Sequence, residues 1–393
     1  MKPFYLPLET QSTQRIKLKM SEKLEERIVK NLAEIESNGL TRRLKSPHGI
    51  DLSSNDFLSL AKDERIKRAM IEGVERLGVG ATASRLLRGE RDEFAKVEQK
   101  FADFKRTEKS LFFSSGYQAN IGLFQTFLEE NDVVFSDEFN HASIIDGLRL
   151  AKAKKVIYKH LDFESLAKLL RETPCKEQKF LVTESLFSMA GDIAPLDKYA
   201  EICAETNTNL IVDEAHAVGV FGKTGSGLIE QFGISEKVFL SLNTAGKALG
   251  VSGAFVAGKS WAIEYLINKC RSFIFSTAPP PALAEALKVS IEIIKTENER
   301  REKLLELSNY LRQLLRENGF QVSLQNSQII PILIGESEKA VKLAEKLQAK
   351  GFDVRAIRPP TVPQNTARLR VSLNVGLSEN ELEKFVNCLK MNL

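Results

Sequence analysis

The chain has 393 residues, of which 43% are hydrophobic and 27% charged. At roughly 150 residues per domain this allows two or three domains with a large buried core, and it excludes a disordered, fibrous or low-complexity chain. With 56 basic and 52 acidic residues the net charge is +4, too small and too dispersed to argue for a nucleic-acid partner.

The opening MKPFYLPLETQSTQRIK reads as irregular and lacks the apolar run of a signal peptide, and no later stretch offers the ~20 apolar residues that cross a bilayer. Cys175, Cys203, Cys270 and Cys388 lie far apart and form no CxxC pair, so no metal site or disulfide framework is expected. A soluble, cytoplasmic chain follows as the expectation. From Ser21 the positions Leu24, Ile28, Leu32 and Ile35 recur at helical spacing, and Asn38-Gly39 supplies the stop.

Between residues 110 and 258 seven short apolar runs alternate with helix-length segments: SLFFS, VVF, KVIY, FLVTE, NLIVD, VFLSL and AFVAG. That alternation predicts βαβ units and a mostly parallel seven-stranded sheet covered on both faces, an α/β fold. Pro279-Pro280-Pro281 is a plausible hinge, because proline continues neither a helix nor an inner strand. A long charged helix to about Asn318 and strands at IIPILI, VRAI and RLRVSL then predict a smaller α+β domain. The expected division is an N-terminal arm and helix at 1–55, a large domain at 56–281 and a small C-terminal domain at 282–393.

Chemistry concentrates in the large domain. Lys247 stands in SLNTAGKALGVSGAFVAG with no other charge before Lys259. If buried there, its amine loses affinity for a proton and becomes nucleophilic, although a lone lysine is more often a surface charge. NLIVDEAHAVGVFG puts Asp213 at the end of an apolar strand, where open α/β sheets bind ligands, with Glu214 and His216 following. Taken alone, Asp213 reads equally well as a helix cap. In LFFSSGYQAN a strand runs through Ser115-Gly116-Tyr117 into a helix, whose first amides suit a phosphate. FNHASIIDG offers His141, by itself a capping or packed histidine, and TESLFSMAGDIAPL offers Ser188. One cofactor uses all of these parts: a phosphate, an aromatic ring, a pyridine nitrogen that needs a carboxylate and an aldehyde that needs an amine. That cofactor is pyridoxal 5′-phosphate (PLP).

These segments, together with NGLTRRL, LSSNDFLSL, FSTAPPP and AIRPPTVPQNTARLRVSLN, run in order along nearly the whole chain. They resemble the α-oxoamine synthase family of fold-type I PLP enzymes. The resemblance implies that Lys247 binds the cofactor aldehyde covalently and that Asp213 pairs with the pyridine nitrogen. It implies that His141 stacks on the ring, that His216 bonds the ring oxygen, and that Ser188 and Thr244 bind the cofactor. The backbone of Gly116 and Tyr117 would hold the phosphate, and Ser276 and Thr277 would reach the phosphate of a neighbouring subunit, which makes the expected assembly a homodimer with shared active sites.

The implied activity is a decarboxylative condensation of an amino acid with an acyl thioester. The similarity is greatest to members that join L-alanine to a pimeloyl thioester on acyl carrier protein or coenzyme A. Members that use glycine with an acetyl thioester or serine with a fatty acyl thioester are alternatives, and an aminotransferase or a catalytically silent partner subunit are more distant ones. In ARLRVSLN the alternation puts Leu369, Val371 and Leu373 on one face and Arg368, Arg370 and Ser372 on the other, as in a half-buried strand. Arg370 can then clamp the amino-acid carboxylate, whereas Arg368 reads as solvated. Arg358 and Thr361 of AIRPPTVP, with Arg42 or Arg43 of LTRRL, are candidates for the polar groups of the acyl substrate, and Asn55 and His141 complete the substrate set. The chain departs from the family at Ala81, Thr82 and Ala83, where glycines are common, and at Phe94, where a histidine is frequent.

Overall fold

The structure, a computed structural model, describes residues 11–393, so the opening ten residues, read above as irregular, lie outside the described residues. The first helix spans Gln11–Ser37, ten residues longer at its start than the periodicity indicates. It stops where expected: the Asn38 amide bonds the Glu34 carbonyl at 2.7 Å and Gly39 takes φ +64°, a left-handed conformation that glycine adopts without strain. Its stripe of Leu24, Ile28, Leu32 and Ile35 is between 41% and 58% exposed, so a single chain leaves that face uncovered.

Strand β1 (Ile50–Asp51) follows, and then the seven strands of the main sheet: β2 (Lys109–Phe113), β3 (Val133–Asp137), β4 (Lys154–Tyr158), β5 (Lys179–Glu184), β6 (Thr208–Asp213), β7 (Val238–Thr244) and β8 (Ala254–Gly258). Their order is β2-β8-β7-β6-β5-β3-β4. The run from β7 to β4 is parallel, and β8 is antiparallel to both β7 and β2. These are the seven segments the alternation identifies. The inner strands read as continuous apolar runs because helices cover both faces. Edge strand β4 instead exposes Lys154 and Lys155, charges that discourage pairing with another sheet. The parallel run brings the ends of β3, β5, β6 and β7 to one rim, which therefore collects Asp137, Glu184, Asp213 and Thr244.

After Pro281 the single long helix expected from sequence is two, Ala282–Thr296 and Asn298–Glu317. The break falls at Glu297, whose backbone leaves the helical region (φ −105°, ψ 68°) while its carboxylate takes Arg65 and Arg300. Helical periodicity continues across such a break, so the sequence pattern does not reveal it. Strands β9 (Ile329–Gly335), β10 (Phe352–Asp353), β11 (Arg355–Ile357) and β12 (Ala367–Ser372) follow. β9, β12 and β11 form an antiparallel sheet with β12 in the centre, and β10 pairs with β1.

The expectation that β12 is half-buried is corrected: Ser372 is as fully buried as Leu369 and Val371, Arg370 is buried at 8% exposure, and Arg368 alone on that face stays half-buried. The second face is covered because Ser372 N–H bonds the Leu52 carbonyl at 2.9 Å and Arg370 Nε bonds the Ser188 carbonyl at 2.6 Å. The loop that carries Ser188 is itself seated on β9. Gly191 there has φ +71°, and a Cβ would stand 2.3 Å from the Ile329 carbonyl oxygen, so only glycine permits the approach.

The segment after β6 is pinned by an ion pair between Lys105 and Glu214, whose side chains are 2% and 0% exposed. Glu214 also accepts the Ile229 amide at 3.0 Å, and Lys105 bonds the Ser226 carbonyl. Removing one partner of such a pair strands the other charge and costs about 3–5 kcal/mol. Lys105→Met is therefore expected to lower the denaturant midpoint by an amount equivalent to about 3–5 kcal/mol. Arg171→Met, which breaks a pair with Glu205 whose side chains are 53% and 56% exposed, should change stability by under about 1 kcal/mol. Equal effects of the two substitutions would contradict the assignment.

Candidate active site

Asp213, the last residue of β6, is fixed at both carboxylate oxygens. Oδ1 accepts the Ala215 amide at 2.9 Å and Oδ2 accepts Asn120 Nδ2 at 2.9 Å. The same Asn120 nitrogen bonds Ser143 Oγ at 2.9 Å, and Ser143 Oγ lies 2.8 Å from His141 Nδ1. His141 also caps its helix, Ala142–Leu150, by accepting the Ser143 amide. A chain of hydrogen bonds thus ties the strand-end acid to the histidine ring. Asn120 escaped the sequence reading although it closes the motif SSGYQAN, because nothing in that motif says which strand its side chain will meet.

Lys247 lies beyond β7, with Nζ 2.8 Å from His216 Nε2. Burial pushes its amine down to about 8, against the pull of the carboxylates of Asp213 and Glu184. Burial holds His216 well below its ordinary value, so this ring is neutral. The His216 carbonyl accepts Gln328 Nε2 at 2.7 Å, which anchors the backbone beside it. Glu184, the last residue of β5 and in register with Asp213, is the second functional candidate that the sequence reading missed. Burial and the neighbouring Asp213 charge raise its carboxyl to about 8. The strand-end position that marked Asp213 would have marked Glu184 as well.

The residues present fit PLP. Gly116 and Tyr117 open the helix Gly116–Phe127, and their amides make no hydrogen bond among the described residues. Ser115 caps this helix through the Gln118 amide at 3.2 Å. A Cβ at Gly116 would lie 2.6 Å from Thr244 Cγ2, so glycine keeps this amide end open, and Thr244 Oγ1 bonds the Ala215 carbonyl at 3.1 Å. Two buried polar atoms, His216 Nδ1 and Glu184 Oε1, have no partner among the described residues. Phosphate, ring nitrogen and aldehyde each have a counterpart in the amides, Asp213 and Lys247.

Beside this cluster lies a cavity of about 620 Å³ lined by His141, Phe139, Phe187, Ser188, Met189 and Thr361 among others. Arg370 borders it through Ser188, and its Nη2 bonds Asn55 Oδ1 at 3.1 Å. Burial lowers the Arg370 guanidinium to about 10. Arg42, Arg43 and Arg358 are not brought to this cavity. They line a second one of about 790 Å³, where Arg358 bonds the carbonyls of Gly39 and Thr41, and Thr361 borders both. Ser276 and Thr277 line a narrow cleft with Ser114 and Gln118. Arg368, read from the sequence as solvated, instead lines the first cavity, because the loop after Pro359 folds over it.

The lowered amine gives a direct expectation. With the cofactor removed, the rate at which a small acylating reagent modifies Lys247, followed by peptide mass spectrometry, should rise with pH about a midpoint near 8. A midpoint at the ordinary lysine value would show a solvated amine.

Residues 47–389 match the aminotransferase class I and II family. The 8-amino-7-oxononanoate synthase of Lysinibacillus sphaericus is 40% identical over 380 residues, 93% of this chain and 98% of that one. Among solved structures, the 8-amino-7-oxononanoate synthase of Francisella tularensis superposes with a TM-score of 0.77 at 32% identity, over 87% of this chain and 97% of its own. The serine palmitoyltransferase of S. paucimobilis, solved with a bound PLP–myriocin aldimine, gives a TM-score of 0.87 at 28% identity over 93% and 96%. The chain belongs to the aminotransferase class I and II family and, within that PLP-dependent fold, to the 8-amino-7-oxononanoate synthases.

Proposed function

We propose that this enzyme joins L-alanine to a pimeloyl thioester, carried on acyl carrier protein or coenzyme A, and so makes 8-amino-7-oxononanoate for biotin biosynthesis. A carbon–carbon bond replaces the thioester C–S bond, the thiol leaves, and the alanine carboxylate departs as carbon dioxide. The observation that carries this reading is His141, which stands within reach of the charges of Asp213 and Lys247 and also lines the apolar cavity. One residue thereby joins a lysine and acid set suited to amino-acid chemistry to a space suited to an acyl chain.

PLP held at Lys247 supplies an aldehyde that captures amines and a ring that accepts the electrons of a broken bond to carbon. The chain's own residues do the rest. Lys247 Nζ, with an affinity for protons near neutrality and a neutral His216 beside it, takes the proton from the alanine Cα and returns one after carbon dioxide has left. Asp213, held by Asn120 and the Ala215 amide, would pair with the ring nitrogen. His141 would offer a ring face for stacking, His216 and Ser188 would bond the ring substituents with Thr244 alongside, and the amides of Gly116 and Tyr117 would hold the phosphate. Arg370 and Asn55 orient the alanine carboxylate, and the apolar cavity keeps water from the acyl chain.

Ser276 and Thr277 reach a partner subunit's phosphate in a homodimer, to which the uncovered stripe on the helix Gln11–Ser37 offers an apolar face. Arg42, Arg43, Arg358 and Thr361 serve the polar groups of the acyl donor from the second cavity. This arrangement corresponds to an arm at 1–55, a cofactor domain at 56–281 and a small domain at 282–393, in a cytoplasmic enzyme.

Incubation with alanine and a pimeloyl thioester, with products identified by mass spectrometry, is expected to give 8-amino-7-oxononanoate, free thiol and carbon dioxide in equal amounts, faster with alanine than with glycine or serine. Steady release of pyruvate from alanine alone, or faster turnover with glycine or serine, would contradict the reading.

A further inference from the structure

Arg368 is a cation that the proposed reaction leaves without a task. It projects from β12 into the 620 Å³ cavity, whose other walls include the apolar Phe139, Ile145, Phe187, Val362 and Pro363. Its Nε bonds the Thr366 carbonyl at 3.0 Å and Nη1 makes only a long bond of 3.4 Å to the Met189 carbonyl. Nη2 makes none, and Arg368 forms no ion pair among the described residues. Half-burying a guanidinium in apolar surroundings is costly unless an anion answers it, and burial here does lower its affinity for the proton.

The acids nearby are already answered by other groups. Glu138, also on the cavity wall, binds Lys159 Nζ at 3.0 Å and the His160 amide at 3.1 Å. Asp192, the carboxylate that faces Arg368, lies 3.3 Å from His160 Nε2, while His160 Nδ1 lies 3.0 Å from Asp137. Against burial, which lowers it, the bonds to Asp137 and Asp192 raise this histidine to about 9, so it carries a positive charge at neutral pH. The ring of His160 is stacked on Phe139 at 4.5 Å and meets Phe187 edge-on at 4.4 Å. One histidine thus occupies the acids behind the cavity and fixes two of its aromatic walls, which leaves the charge of Arg368 available to whatever enters.

We infer that Arg368 is an oxyanion-reading subsite for the acyl donor, binding through the guanidinium edge that faces the cavity. The oxyanion is a carboxylate at the far end of the acyl chain or a phosphate of the carrier arm, two groups that a guanidinium recognises by the same paired N–H geometry. The inference rests on the reading of this cavity as the acyl-donor site.

Binding measured without alanine tests it independently of the condensation. The probes are pimeloyl-coenzyme A, heptanoyl-coenzyme A, which lacks the terminal carboxylate, and pimeloyl-N-acetylcysteamine, which lacks the phosphates, each titrated calorimetrically into the cofactor-loaded enzyme. Arg368→Gln should weaken pimeloyl-coenzyme A by about tenfold or more, Arg368→Lys should recover part of the loss, and the loss should vanish with one truncated donor. If it vanishes with the heptanoyl donor, the carboxylate is the oxyanion; if with the N-acetylcysteamine donor, the phosphate is. A change of less than about twofold for pimeloyl-coenzyme A, or an equal loss for all three donors, would overturn the subsite. Enzyme that meets these expectations yet makes no condensed product with alanine would refute the proposed reaction and leave the subsite standing.

Discussion

The site depends on holding one half-buried primary amine beside two carboxyl groups and a neutral ring. Lys247 alone in an apolar pocket would lose its charge altogether, and Lys247 in solvent would keep it throughout the physiological range. Burial lowers it, Asp213 and Glu184 pull the other way, and the balance falls at about 8. Glu184 is drawn to a similar value from the opposite direction, so the protonation of Lys247 and that of Glu184 depend on each other. The parallel sheet supplies this arrangement, because neighbouring strands β5 and β6 end in register and deliver both acids to one rim.

A second layer of contacts makes the first one rigid. Asp213 is held by Asn120, His141 by Ser143, the backbone of His216 by Gln328 and that of Ser188 by Arg370. Gln328 and Arg370 come from the C-terminal part of the chain, so the small antiparallel sheet reaches into the rim of the large one. Gly191 allows the contact by leaving room for the Ile329 carbonyl where any side chain would collide. The alanine carboxylate, on the proposed reading, would meet Arg370 at this same junction.

Much of this was legible in the sequence because its signals are local. The seven main strands are short apolar runs bounded by turns, and all seven form. Lys247, Asp213 and Gly116 stand in motifs whose order along the chain already matches a PLP enzyme, and the structure gathers them with the features that such a cofactor needs. What was not legible depends on tertiary contact. Periodicity alone could not place the break at Glu297, which is stabilised by Arg65 from a distant helix. Alternation assigned Arg368 to solvent, yet a loop folds over that face and encloses it in the cavity. Arg358 belongs to the most distinctive motif of the C-terminal part, but the direction of its side chain, toward Gly39 and Thr41, follows from the path of the N-terminal segment.

On the proposed reading, Lys247 is the amine that holds PLP. Borohydride reduction of the purified holoenzyme, followed by proteolysis and mass spectrometry, tests it most directly. The expected result is a phosphopyridoxyl group fixed on the peptide containing Lys247 and on no other lysine. Reduction that labels a different lysine, or a protein that takes up no pyridoxal phosphate at all, would contradict it.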